Sequence, residues 1–155
     1  MTPSQSEALR TNQQVIANTN KEKLFIGDNT FQKGNLLNNS SYNDLVIPMG
    51  TVVGRIGSTG TLVPLSHNSN DGSQHPVGVL AHDVELDAAG TQSNVTICDR
   101  GEVAEELLTF NSGTATTLES VVTNPSGQNR RVRDLLQDQG IKLRTRTHMT
   151  NYDNQ

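Results

Sequence analysis

Apolar and polar positions divide this chain unevenly. From Met1 to about Asn20 the sequence is mostly Ser, Thr, Asn and Gln, and its few apolar residues, among them Leu9, Val15 and Ile16, are too scattered to make a face. Such a segment buries too little apolar surface to offset the entropy of ordering it, so residues 1–22 are expected to be a mobile N-terminal arm. Two readings stay open, a merely floppy terminus and an arm that orders on a partner. Leu24, Phe25 and Ile26 then start a more apolar stretch, continued by Phe31, Leu36 and Leu37 past Gly27 and Gly34. It suits an anchor of the arm, either to its own domain or to a neighbour.

Strand patterning begins in earnest at Leu45. Leu45-Val46-Ile47, the turn signature Pro48-Met49-Gly50 and the β-branched run Thr51 to Ile56 predict two short strands around a bend. Gly57-Ser58-Thr59-Gly60 has hairpin chemistry, and Thr61 to Leu65 supplies the return strand, with Pro64 suited to an edge or a strand end. Ser66 to Pro76 is a polar loop centred on the turn dipeptide Asp71-Gly72, and Val77 to Ala81 predicts a buried strand. Asn94 to Asp99 alternates with period two, which sets Val95 and Ile97 on one face and Thr96 and Cys98 on the other.

The stretch from Glu102 to Leu108 predicts a short helical turn, and Gly113 to Thr123 a weak strand. One helix is expected over about 127–139: Asn124-Pro125-Ser126 offers a cap with proline in the first turn, Val132, Leu135 and Leu136 fall at i, i+3 and i+4, and Gly140 stands at the C′ position. Beyond it Ile141, Leu143, Thr145, Thr147 and Met149 alternate with Lys142, Arg144, Arg146 and His148, the pattern of a closing strand with one basic face. The chain is therefore expected to be mainly β, with an arm (1–22), one β-rich domain (23–149) holding one short C-terminal helix, and a tail (150–155).

Composition sharpens this. Of 155 residues only 32% are hydrophobic and 3% aromatic, with no Trp, so one thin core is expected, and subunit burial is a plausible supplement to it. A net charge of −4 and a pI near 5.5 give no electrostatic case for nucleic acid as a partner. Cys98 is the one cysteine, which excludes an internal disulfide and a cysteine zinc site and reads as a small buried hydrophobe. The first residues have neither a basic n-region nor an apolar h-region, and no run of about 18 apolar residues occurs, so no membrane is expected as a partner and the protein is expected to stay in the cytosol where it is made.

No constellation for catalysis emerges. His67, His75, His82 and His148 lack metal-ligand spacing, Gly50-x-x-x-Gly54 lacks the Lys-Ser or Lys-Thr of a phosphate cradle, and Glu102, Glu105 and Glu106 read as a solvated acidic face. Neither an enzyme nor a cofactor is expected. The basic face of Lys142, Arg144, Arg146 and His148 has two readings. One is protection of an exposed strand edge, and the other is docking on an acidic surface, either the stretch Asp83 to Glu106 of a neighbouring subunit or a capsid partner.

Three runs in fixed order carry a resemblance: PMGTVVGRIGSTGTLVPL (Pro48 to Leu65), DGSQHPVGVLAHDV (Asp71 to Val84) and NVTICDRGEVAEELL (Asn94 to Leu108). Together with the Leu135-Leu136 to Gly140-Ile141 stretch, they make residues 45–145 resemble phage head decoration proteins of the lambda protein D type. The resemblance implies a compact β-rich domain of β-tulip or β-clip character with a short helix, assembled as a homotrimer on the outside of a phage head and bound to the major capsid protein. It implies no catalysis and an arm that orders on the shell. On that reading Leu9, Val15, Ile16, Leu24, Phe25 and Ile26 are expected capsid contacts, and Glu102, Glu105, Glu106, Lys142, Arg144 and Arg146 expected subunit-interface residues. The competing class is a carbohydrate- or receptor-binding β module, which normally presents aromatic platforms; Tyr42 and Tyr152 lie in polar segments without Trp to help.

Overall fold

Val52-Val53 and Val79-Leu80 show how the core is built. In each pair the two side chains point to opposite faces of a strand, yet all four residues are fully buried. Strands buried on both faces read as continuous apolar runs rather than alternations, which is the pattern of these segments. A computed structural model describes residues 24–37, 46–85, 91–110, 115–124 and 126–145.

The described strands are β1 (Phe25–Leu37), β2 (Val46–Ile47), β3 (Val52–Arg55), β4 (Leu62–Pro64), β5 (Pro76–Leu80), β6 (Val84–Glu85), β7 (Thr91–Ala104), β8 (Val121–Thr123), β9 (Asn129–Arg131) and β10 (Ile141–Arg144), with the helix α1 (Val132–Gln139) before the last of them. The main sheet runs β1-β4-β3-β5-β7-β10, and β1 also pairs with β7, so the first five strands close on themselves and β10 extends the sheet beyond the closure. Closure removes the open edges that an antiparallel sheet otherwise presents. Pairs β2–β6 and β8–β9 form two small separate ribbons.

Two apolar clusters follow from this layout. Leu36, Ile47, Val53, Leu62, Leu80, Val84, Val95 and Ile97 make one of them. The other forms on the opposite face, where Leu24, Val52, Leu65, Val79 and Val103 meet Val122, Val132, Leu136 and Ile141. The fold is thus mainly β with one short C-terminal helix, as the patterning indicates.

Local departures have identifiable causes. β1 is the long partner of β7, yet sequence patterning treats it as an anchor and begins the strands at Leu45. Its register slips between Ile26 and Thr30, between Thr30 and Phe31, and between Gly34 and Leu36, which destroys period-two alternation. The expected helical turn over Glu102 to Leu108 shrinks to a 3-10 turn at Glu105–Leu107, because Glu102 and Val103 are taken up by strand pairing with both β1 and β10. The helix starts at Val132 rather than near 127. Asn124, Ser126 and Gly127 lie between the paired strands β8 and β9 instead of capping a helix, with the Gly127 amide donating to the Asn124 carbonyl at 2.8 Å. Gly140 ends α1 as expected, at φ +103°.

Candidate functional site

Leu24 is only 1% exposed and belongs to the domain's own core. Of the two roles the sequence leaves open for the Leu24 stretch, this residue serves the intramolecular anchor. Phe25 and Ile26 are half-buried and pair with Val103 and Glu102 of β7. Phe25 meets Phe31 edge to face, with ring centroids 5.4 Å apart, and Phe31 is 43% exposed. Leu9, Val15 and Ile16 lie outside the described residues. Val103 pairs with Phe25 on one side and Leu143 on the other, so the N-terminal segment joins the domain one strand away from the basic strand β10.

The ladder beside this junction is completed by a side chain. Asn29 accepts from the Glu102 amide at 3.1 Å and donates to the Glu102 carbonyl at 3.3 Å, replacing a backbone partner where β1 bulges. Gly101 is what lets it in, since a Cβ there would stand 2.8 Å from the Asn29 Cα. Neither residue stands out in the sequence, because a bulge leaves no periodic signature.

β10 runs parallel to β7, with Lys142 opposite Glu102 and Arg144 opposite Ala104. Ile141 is buried and Leu143 half-buried, while Lys142 and Arg144 are exposed, so the expected basic face holds through the described part of this strand. Arg146 and His148 lie outside it. Acidic and basic candidates meet within one chain: Arg144 pairs with Glu102 at 3.1 Å, and Glu105 accepts from Arg133 at 2.5 Å and from the Thr145 hydroxyl at 3.0 Å. Arg133 also reaches Glu119 at 2.9 Å, tying α1 to the 3-10 turn and to the start of the β8 hairpin. Glu106 is exposed on that turn.

The Arg133 guanidinium, helped by the Thr145 hydroxyl, holds the Glu105 carboxyl below its ordinary range. A carboxylate whose folded pKa is lowered stabilises the fold above its unfolded value and loses that contribution as pH falls through the folded one. Arg133→Met is therefore expected to cost about 1–2 kcal/mol at pH 7, discounted for the partial exposure of the network. The difference from wild type should shrink below pH 4.5, the ordinary Glu value here. Urea unfolding of both proteins across pH 3 to 7 measures it.

Asp71, Cys98, His67 and His82 each take part in local hydrogen bonds. Asp71 accepts from the Ser73 hydroxyl and amide, which hold its carboxyl below the usual range. Burial pushes the Cys98 thiol up to about 11, far from a nucleophile's range. His67 Nδ1 lies 2.9 Å from the Thr116 hydroxyl, and His82 takes the Thr96 amide on Nε2 at 3.1 Å. Among the described residues no group of three or more His, Cys, Asp or Glu is placed to hold a metal ion. Tyr42 and Tyr152 lie outside the described residues.

A family model described as bacteriophage lambda head decoration protein D matches residues 11–123, well over half of the chain. The match begins within the polar N-terminal segment and ends at the last residue of β8. No curated protein sequence matched the chain.

Proposed function

The chain belongs to the bacteriophage lambda head decoration protein D family, and from that premise we propose that it cements the phage head: it binds the outer surface of the expanded shell, contacts the major capsid protein and stabilises the shell against the pressure of packaged DNA. Membership makes it a structural protein of the virion, placed on the capsid. The observation that carries the proposal is the extent of the match, which takes in part of the polar arm as well as the strands from β1 to β8.

The action is binding without catalysis. The arm, 1–22, adds a strand to an exposed sheet edge of the capsid protein through main-chain hydrogen bonds, with Leu9, Val15 and Ile16 as its apolar contacts. Phe25 and Ile26 sit at the base of the arm, where half-buried side chains can still meet the shell. The subunits act as a homotrimer. Once one arm is seated the others bind at high effective concentration, and avidity exceeds single-site affinity by roughly 10²–10⁴-fold. A ligand that binds only the expanded shell stabilises it by mass action, by about 3 kcal/mol per site at a free concentration roughly 100 times Kd.

Co-sedimentation with expanded, undecorated heads tests this. The full chain should bind saturably, and the chain lacking Met1 to Asn20 should lose at least about a hundredfold in affinity, the scale of the avidity it forfeits. Equal binding by both forms would remove the arm from the mechanism. Absence of binding by either would overturn the cementing function.

A further inference from the structure

The turn between β5 and β6 is tied to β7 by a side chain. Antiparallel pairing of Val79 with Cys98 and of Leu80 with Ile97 continues one step further, where the Ala81 amide donates to the Thr96 carbonyl at 3.0 Å. A regular ladder would return that bond from the Thr96 amide to the Ala81 carbonyl. The Thr96 amide donates instead to Nε2 of the next residue, His82, at 3.1 Å. The imidazole thus stands in for a backbone carbonyl at the point where the chain leaves β5 for β6.

A backbone amide can only donate, so Nε2 holds a lone pair and the ring is neutral in this arrangement. Its proton sits on Nδ1, which donates to the Asp83 carbonyl at 2.9 Å. A proton taken up at Nε2 would set two N–H donors against each other. It would leave the Thr96 amide without its acceptor and turn the ring away from the Asp83 carbonyl as well. The ring is exposed, so protons reach it from solvent without any opening of the fold. Among the described residues, the charged groups around it act in both directions. From β1, the Lys33 ammonium donates to the Thr96 hydroxyl at 2.6 Å and opposes a second positive charge. In the turn, Asp83 favours one, with its carboxylate already accepting from the Met49 amide at 2.7 Å. Glu85 is exposed on β6 beyond the buried Val84, and β7 contributes no charge from Val95 to Ile97.

We propose that His82 is a pH-sensitive latch: neutral, it holds the β5–β6 turn on β7, and charged, it lets that turn go. What it releases is limited. Val84 and Ile47 stay in the core cluster with Val95 and Ile97, and the Gly50 amide still donates to the Leu80 carbonyl at 3.0 Å. Loosening is confined to residues 81–83 and, through the Asp83 carboxylate, to the Met49 amide in the turn before β3. The β2–β6 ribbon gains mobility while the main sheet remains folded. His67 has no such role, because its Nδ1 lies 2.9 Å from the Thr116 hydroxyl, a group that serves as donor or acceptor and so suits either protonation state. The latch is a property of the free subunit and stands apart from the cementing reading.

The test is amide exchange by NMR on the full chain, without phage heads, from about pH 7.5 to about pH 5. Imidazoles gain charge across that interval, whereas carboxyl groups ordinarily keep theirs. Protection of the Thr96 amide, corrected for the intrinsic exchange rate at each pH, should fall about five- to tenfold, the weight of one hydrogen bond. Protection of the Met49 amide should fall in the same direction, while the amides that join β3 to β4 and β5 keep theirs. In His82→Gln, whose side-chain oxygen reaches the position of Nε2 and does not titrate, protection at Thr96 should no longer follow pH. His82→Leu, which has no acceptor, should show the weakly protected Thr96 amide at both ends of the range. Constant protection at Thr96 in the wild type overturns the proposal. So does a fall that persists in His82→Gln, which would assign the titration to another group, and so does an equal fall throughout β3 and β5, which would mean general acid loosening of the sheet.

Discussion

Gly54→Ala is expected to destabilise the protein by about 3 kcal/mol, the upper range for forcing atoms into a packed interior. A Cβ at this position would collide with the Ser73 carbonyl and stand 2.8 Å from its carbon, both backbone atoms. Retreat of the loop is blocked at several points. The Gly57 amide donates to the Asp71 carbonyl at 2.8 Å, the Asp71 carboxylate caps the Ser73 amide at 3.0 Å, and Ser73 and Gln74 are themselves buried. Gly54 also pairs with Val63 and Pro76, so β3 cannot move away without breaking two strand pairings. Gly60→Ala is the control. It carries φ +71° with nothing within 4 Å of the added methyl, so it bears backbone strain alone, about 1 kcal/mol. Urea midpoints at unchanged slope separate the two effects, and equal losses would show that the loop yields.

That glycine marks the boundary of what the sequence reveals. Runs such as Val77 to Ala81 and the punctuation at Pro48-Met49-Gly50 and Gly57 to Gly60 locate strands because burial and turn chemistry are local properties. The same holds for the end of α1, where Gly140 supplies a conformation that few other residues adopt. Close approach is not local. Gly54 beneath Ser73, or Gly101 beneath Asn29, depends on segments far apart in sequence, and a lone glycine in a strand does not say what lies above it. The bulges of β1 hide a long strand for the same reason, since each slip resets the alternation by one residue. In the sequence, Asn124-Pro125-Ser126 satisfies the rules for a helix start and for a hairpin turn alike, and pairing of Val121 to Thr123 with Asn129 to Arg131 decides between them.

The candidate surfaces were legible to a similar degree. The alternation of Ile141 and Leu143 with Lys142 and Arg144 announces a basic face, and the strand carries it. Membership of that face by Arg100, and the pairing of Arg144 with Glu102 inside one chain, follow from the parallel register of β10 on β7, which periodicity does not contain.

Leu136→Ala should cost about 3 kcal/mol and act on the basic strand from a distance. Eight residues of helix are marginal alone in water, so α1 owes its position to packing, and Val132 and Leu136 are the two of its side chains that are fully buried. Both join Leu24, Val52, Leu65, Val79, Val103 and Ile141 in one cluster of buried apolar side chains, so truncating Leu136 leaves a cavity with apolar walls. Gly140 links the helix directly to Ile141, the first residue of β10, and its carbonyl accepts from the Gly101 amide at 3.1 Å. Loosening α1 therefore frees the end of the strand that bears Lys142 and Arg144. Amide hydrogen exchange should speed up across 132–144 more than across β3 and β5, where pairing on both sides persists. Uniform acceleration of exchange through the barrel would instead mean that helix and barrel unfold as one unit, with β10 held to β7 until both are lost.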